Sequence, residues 1–348
     1  MQSIQGKRLA FGVFAVAALA GGAARAGNFV YTSIDVPGAN ATFPESISDT
    51  GEVAGVYTTS EESPQYGFVW LNGTLTTFTP HIPSKSLSVG GIDDRGAVAF
   101  SATIAKSGAS FAKLRRADGA FFRLPTPPGA VSWATGMNAE GQVVGATEAT
   151  GGATSRNGFL FRNGQLQDIV YPGAALTTPS GIATDGTVVG SYSTGDADPA
   201  HGFIYQNGSY QSFDPPKSSY TIVDSINPHG EISGTFYEAN LSTGTLGYVL
   251  SHGKYHMYAV KRGKEYVNEA TWAASVNQVV VNFYNLVNSI AFTYVNGQYT
   301  QVLPFASQNS YIYAGNRNGT LVGIYDFSDG FIHGFAAVCP AGQAPCTN

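Results

Sequence analysis

The chain has 348 residues, 43 % of them apolar, only 12 % charged and 43 of them glycine. That is enough apolar material for one large or two ordinary cores. A net charge of −5 without any stripe of basic residues argues against nucleic acid as a partner and against a basic membrane-surface helix.

Residues 1–26 read as a secretory signal peptide. Lys7 and Arg8 form the positive start, residues 11–20 a short apolar run, and Ala24-Arg25-Ala26 a small-residue cleavage site. An uncleaved N-terminal anchor is the competing reading, but the run is short for a membrane span. No later stretch approaches the ~18 apolar residues of a spanning helix. After cleavage at Ala26 the chain is therefore expected to be soluble, without membrane insertion, and periplasmic or secreted.

From residue 27 onward the chain repeats itself. Aligned on a turn residue, Gly51, Gly96, Gly141, Gly186, Gly230, Asn277 and Gly319 fall 45, 45, 45, 44, 47 and 42 residues apart. A period near 45 belongs to propeller blades and exceeds that of leucine-rich or ankyrin repeats. Each copy holds two hairpins, such as SISDTGEVAGVY (46–57) and GFVWLNGTLTTF (67–78). The second turns at Asn72-Gly73, with equivalents at Asp118-Gly119, Asn163-Gly164, Asn207-Gly208, His252-Gly253 and Asn296-Gly297. Asn-Gly between alternating strands is a strong hairpin signal because both turn positions need positive φ.

The seventh copy lacks its fourth strand, and GNFVYTSIDVPGA (27–39) matches the missing piece. An N-terminal strand that completes the last blade would close the ring and abolish sheet edges. The expected fold is thus all-β: a seven-bladed β-propeller over 27–338, four antiparallel strands per blade, then a tail over 339–348. A β-solenoid is the alternative, though it has no use for the displaced strand. Every third strand starts with an aromatic (Phe68, Phe111, Phe159, Phe203, Tyr248, Phe292, Phe335) preceded by a small residue (Gly67, Ser110, Gly158, Gly202, Gly247, Ala291, Gly334). Gly55, Gly145, Gly190, Gly234 and Gly323 recur on the second strand, replaced by Phe100 and Val281 in copies two and six. These residues are expected to pack blade on blade, the two glycine positions being cross-strand neighbours.

The segments MNAEGQVVG (137–145), HGFIYQNG (201–208) and TSIDVPGA (32–39) resemble the HAF-type extracellular repeats of exported bacterial proteins. The resemblance spans 27–338 and implies export and a propeller, but no chemistry. The triplet itself stands only as His201-Gly202-Phe203 and His333-Gly334-Phe335.

The candidate site is expected on the face of the longer loops, since long connections on a rigid scaffold carry binding. Phe43, Trp133, Tyr220, Trp272, Tyr311 and Tyr313 precede or open innermost strands there; they are either stacking platforms or plugs of the core. Glu45 and Asp224 occupy the same slot of copies one and five, as a glycosidase carboxylate pair or as solvated acids. Lys261, Arg262 and Tyr266 belong to KRGKEY, the one dense charge run, either a docking loop or a solvated one. Asp49, Asp94 and Asp185 read as turn formers. Cys339 and Cys346, the only cysteines, are expected to form a disulfide in the exported tail. The six histidines are scattered, and no metal site or cofactor fingerprint appears. The expected function is a monomeric, non-enzymatic module binding an extracellular glycan or protein; the alternative is a secreted carbohydrate-active hydrolase or lyase.

Overall fold

The computed structural model describes residues 25–26, 29–60, 63–80, 84–150, 155–195, 198–238, 244–260, 267–275, 278–284, 289–326 and 329–339. Among the described residues strands dominate, with a 3-10 turn at Pro304–Ala306. The first repeat folds as Ala41–Ile47, Val53–Thr58, Tyr66–Leu71 and Thr74–Phe78, each strand antiparallel to the one before. The same order of four recurs from Ser84, Ala130, Leu176, Ser218 and Val267. The repeat from Ser310 supplies three strands of its own. Its fourth partner is Val30–Ser33, which pairs antiparallel with Ile332–Val338 from Val30↔Val338 to Ser33↔Phe335. Residues 1–24 of the expected signal peptide lie outside the described residues, and Arg25–Ala26 runs parallel to Thr300 and Gln301.

Asn-Gly turns form as their chemistry requires. Asn72, Asn163, Asn207, His252 and Asn296 sit at φ between 46° and 52°, each followed by a glycine also at positive φ. Asp118-Gly119 is different. Only Gly119 takes positive φ; its N–H donates to Arg116 O at 2.9 Å, while Asp118 Oδ1 accepts from Ala120 N–H at 2.9 Å. That is a longer loop built on a type I turn.

The core lies between copies, not within them. Phe68, Phe159, Phe203, Tyr248, Phe292 and Phe335 are at most 1 % exposed. Burying one such ring contributes about 2–3 kcal/mol. Each ring faces the second-strand position across the ladder, Gly55↔Phe68 and Gly190↔Phe203 for example. The two glycine positions are therefore diagonal neighbours across the strands, Gly67 pairing with Val56 beside Gly55. A Cβ on Gly145 would lie 2.5 Å from the Phe159 ring and inside the Trp133 carbonyl oxygen, while one on Gly67 would strike Phe78. Clusters such as Val189, Phe213, Val223, Ile232, Phe236 and Tyr248 join neighbouring copies. Polar side chains stitch the same seams. Ser101 Oγ accepts from Ala134 N–H (3.0 Å), Ser191 Oγ from Val223 N–H (3.1 Å) and Asn282 Oδ1 from Ile312 N–H (3.0 Å).

The second copy departs from the pattern by two residues. Phe100 pairs with Lys113, and Phe111 with Ala102. Lys113, not Phe111, therefore holds the position of the buried ring, and Ala112, not Ser110, that of the small residue. Phe100, fully buried, fills the space from the second strand, and Phe111 is left half-buried under the Arg123 guanidinium, 3.4 Å from its centroid.

Closure is fastened beyond the ladder. Ile34 N–H donates to Gly334 O (2.9 Å), and Gly334 N–H to Asp35 Oδ1 (3.2 Å). His333 bridges Asp35 and Asp329 at 3.1 Å each through its two ring nitrogens. Burial lowers the imidazole pKa, but the hydrogen bonds and attraction from both carboxylates outweigh it, so His333 titrates above its usual 6.5. A raised histidine pKa stabilises the fold fully below the unfolded value, and that stabilisation is lost as pH rises through the folded one. The margin of wild type over His333→Gln in thermal unfolding should be largest near pH 5.5 and shrink by pH 8; a constant margin would mean the clasp works uncharged. Gly145→Ala should cost about 2–3 kcal/mol in urea unfolding by overpacking the Phe159 ring. Gly195→Ala, where a Cβ meets nothing closer than Asp198 Oδ2 at 3.5 Å, should stay within about 0.5 kcal/mol.

Candidate functional site

The short turns between first and second strands carry more chemistry than their length suggests. Where their first residue is Asp or Asn, it closes the turn with its own side chain: Asp93 Oδ1 accepts from Arg95 and Ala97 N–H at 3.0 and 2.8 Å, and Asn227 Oδ1 from His229 and Glu231 N–H at 2.9 Å. Where that residue is asparagine, its amide has a donor left for the next copy. Asn138 Nδ2 reaches Ala183 O, and Asn316 Nδ2 reaches Ser48 O, both at 2.9 Å. The second bond joins the last repeat to the first. Asp94 Oδ1 accepts from Asp49 N–H at 2.9 Å, while Asp49 in turn binds the Arg317 N–H and guanidinium. Of the three aspartates read as turn formers, only Asp185 acts as one, accepting Thr187 N–H at 2.9 Å; Asp49 and Asp94 tie copies together.

These turns surround a cavity of about 580 Å³. Ile47, Ile92, Met137, Ile182 and Ile226 give it apolar walls at the strand ends; Asp94, Thr184, His229 and Arg317 stand among the polar groups of its rim. Strands alternate in direction, so this mouth lies on the short-turn face, opposite the one favoured from the sequence. On that other face the strands run further than expected, and the connections narrow to segments such as 59–65 and 214–217.

The aromatic candidates are scattered rather than gathered. Phe43 is half-buried against the cluster of Val56, Phe78, Leu87 and Phe100. Trp133 is half-buried with Arg156 over its ring at 5.5 Å. Tyr220 is exposed, edge-on to Tyr237 at 5.9 Å. Tyr311 and Tyr313 lean together at 4.9 Å. Trp272 lies on the strand Val267–Ser275. Lys261, Arg262 and Tyr266 lie outside the described residues, as does Cys346; Cys339 is half-buried.

Glu45 and Asp224 share a structural reason for their common slot. Innermost strands shift register there, between Pro44 and Ser46 and between Val223 and Ser225, and equally around Thr135, Ser180 and Tyr313. A bulge leaves one residue per copy outside the ladder, free to reach the next copy. Glu45 Oε2 accepts from Val89 N–H at 2.6 Å, and Thr135 Oγ1 donates to Pro179 O at 2.7 Å. Burial lifts the Glu45 carboxyl from 4.5 to about 7 against the pull of that N–H bond. Its charge also acts on Tyr313, whose hydroxyl pKa burial pushes up to about 12. Asp224 instead meets Thr235 Oγ1 at 3.4 Å and acts on Tyr248. The bulge explains why the two carboxylates recur in the same slot.

Sequence reasoning missed the partner of the repeat histidine. His201 Nδ1 lies 2.7 Å from Asp214 Oδ2, as His333 lies by Asp35. The remaining copies place Tyr66 with Thr79, Asn157 with Val170, Leu246 with Ala259 and Ile290 with Leu303 at these positions, while the second copy is out of step. Histidine and aspartate come together or not at all, a signal legible within the chain itself.

No family model and no curated protein matches the chain. Among solved structures it is similar to the β-propeller domain of the Trilobed protease from Pyrococcus furiosus, which has an open velcro topology: TM-score 0.58, 12 % identity, 85 % of this chain and 95 % of that one. It is also similar to TolB from Acinetobacter baumannii (TM-score 0.51, 12 % identity, 75 % and 65 %). A post-proline cleaving enzyme from Rickettsia typhi aligns at TM-score 0.53 and 12 % identity, over 80 % of this chain and 49 % of that one. These likenesses show the fold, a β-propeller.

A carboxyl whose folded pKa is raised costs stability once the unfolded state ionises, from about pH 4.5 to about 7. Glu45→Gln keeps an acceptor for Val89 and removes the charge. It should be more stable than wild type at pH 8 by on the order of 1–3 kcal/mol, with the difference vanishing toward pH 4.5 in urea unfolding. A variant weaker at pH 8 would show that the ionised carboxylate has a partner worth more than its burial costs.

Proposed function

We propose that this chain is an exported, seven-bladed propeller of the HAF-type repeat class, its ring completed by the N-terminal strand. In this reading it is a non-enzymatic module that binds a glycan or a protein segment. The observation that carries the reading is the cavity of about 580 Å³ ringed by short turns. Its size falls within the ~300–1,000 Å³ of small-ligand sites. Apolar strand ends beneath polar turn residues suit a ligand with one hydrophobic and one hydroxyl- or amide-bearing side. Much of the polar rim is already engaged in copy-to-copy hydrogen bonds, which favours a rigid receptor over a catalyst that must move protons.

Catalysis at the axis is the second reading, favoured by Glu45 alone, since a carboxyl near pKa 7 is what a general acid needs. The two readings differ in what they require of Glu45. A glycan array and a peptide array probed with the full chain, with Thr184→Trp and with Tyr220→Ala, separate them. Thr184 is exposed at the cavity rim, so tryptophan there should reduce binding at least tenfold, while Tyr220→Ala leaves it within twofold. The reverse pattern would move the site to the long-connection face. Turnover of a bound sugar that is abolished in Glu45→Gln would replace the binding reading with the hydrolase.

A further inference from the structure

In a repeat protein, individual function is sought where one copy breaks the pattern, and the second copy breaks it in charge as well as in register. The outer hairpins 66–78, 201–213 and 289–302 carry no lysine, arginine or carboxylate. The hairpin 110–123 carries Lys113, Arg115, Arg116 and Arg123 against Asp118 alone. Lys113, Arg115 and Arg123 share one face, since Arg123 pairs with Lys113 and Phe121 with Arg115. Each cation lies over a ring: Arg123 over Phe111 at 3.4 Å, Arg115 over Phe78 at 5.3 Å, Lys113 over Phe121 at 5.9 Å.

Counter-charge is short. Arg115 feels Asp118 and Glu52. Lys113, 8 % exposed, donates to Pro80 O at 2.7 Å, and among the described residues no carboxylate comes within 4.0 Å of Lys113, Arg116 or Arg123. Burial and the neighbouring Arg123 charge both lower the Lys113 pKa. Arg116 and Arg123 are exposed, and stacking fixes the Arg123 fork in the planar form that receives carboxylate or sulfate.

We propose that this outer hairpin is a docking surface for an acidic polysaccharide, whose repeating carboxylate or sulfate groups neutralise the row of cations. A repeating acid fits the exposed Arg116 and Arg123, carried at the two ends of one hairpin with the half-buried Arg115 between them. An acidic peptide would add itself as a strand, and the edge strand Phe121–Arg123 is too short to hold one. The surface is separate from the turn-lined cavity.

Affinity electrophoresis of the full chain through gels holding polygalacturonate, dextran sulfate or neutral dextran tests the proposal. Retardation is expected in one or both acidic gels and not in dextran, and it should weaken with salt. Arg116→Gln/Arg123→Gln should lose at least tenfold in affinity, while Arg162→Gln/Lys254→Gln, an equal charge change on other copies, stays within twofold. Arg116→Gln alone, at an exposed turn position, covers the case of a misfolded double variant and should lose about threefold. Thr184→Trp should migrate as wild type, which keeps this surface distinct from the cavity. Equal loss in both double variants, no retardation in either acidic gel, or displacement by polyglutamate at matched charge would overturn the proposal.

Discussion

A four-stranded antiparallel sheet with apolar side chains on both faces has no stable existence alone, because each face needs another sheet against it. Arranging the sheets around an axis satisfies every face, provided that the circle closes. Here closure rests on Val30–Ser33 lying beside Ile332–Val338, residues separated by nearly the whole chain. The Asp35–His333–Asp329 bridge and the Asn316 and Arg317 bonds to Ser48 and Asp49 fasten the same seam from both ends. Joining distant segments carries a loop-closure entropy that grows only slowly with length, so these few polar contacts and one apolar seam suffice to offset it.

Within that ring the second-strand glycines, unlike those of the turns, are set by their neighbours. Gly55 and Gly145 take no positive φ; they are glycine because a first-strand carbonyl oxygen and a buried ring occupy the space of a side chain. The second copy shows the converse solution. Phe100 moves the ring to the second strand, and the vacated third-strand position accepts Lys113. One exchange of positions therefore both preserved the packing and placed a cation where every other copy has an aromatic. Packing and surface chemistry are coupled there through a single pair of opposed residues.

Period, hairpins and the displaced strand were legible because each depends on local pattern: alternation, Asn-Gly turns, spacing near 45. What escaped was what depends on register. The slip at Phe100 and Lys113 is invisible in an alignment that rewards Phe111 for being aromatic. The bulges at Glu45 and Asp224 leave no local mark, so the backbone reason for their common slot could not be read. The site was less legible than the fold. Cavities form where turns from many copies converge, and short turns, read one at a time, look like mere connectors.

The polar turn crown also bears on what the propeller does. A turn closed by its own Asn or Asp side chain and bonded onward to the next copy leaves little freedom at the mouth of the cavity. Such a rim is preorganised: a ligand that matches it loses little to reordering of the protein, and one that does not match finds few groups able to adjust. By contrast, the exposed Arg123 of the second copy's hairpin is held by stacking on Phe111, which fixes its plane, and no carboxylate among the described residues lies within 4.0 Å of it. The two surfaces therefore differ physically, a shaped and hydrogen-bonded mouth among the turns and a charged outer hairpin, on one scaffold whose outer hairpins 66–78, 201–213 and 289–302 carry no lysine, arginine or carboxylate.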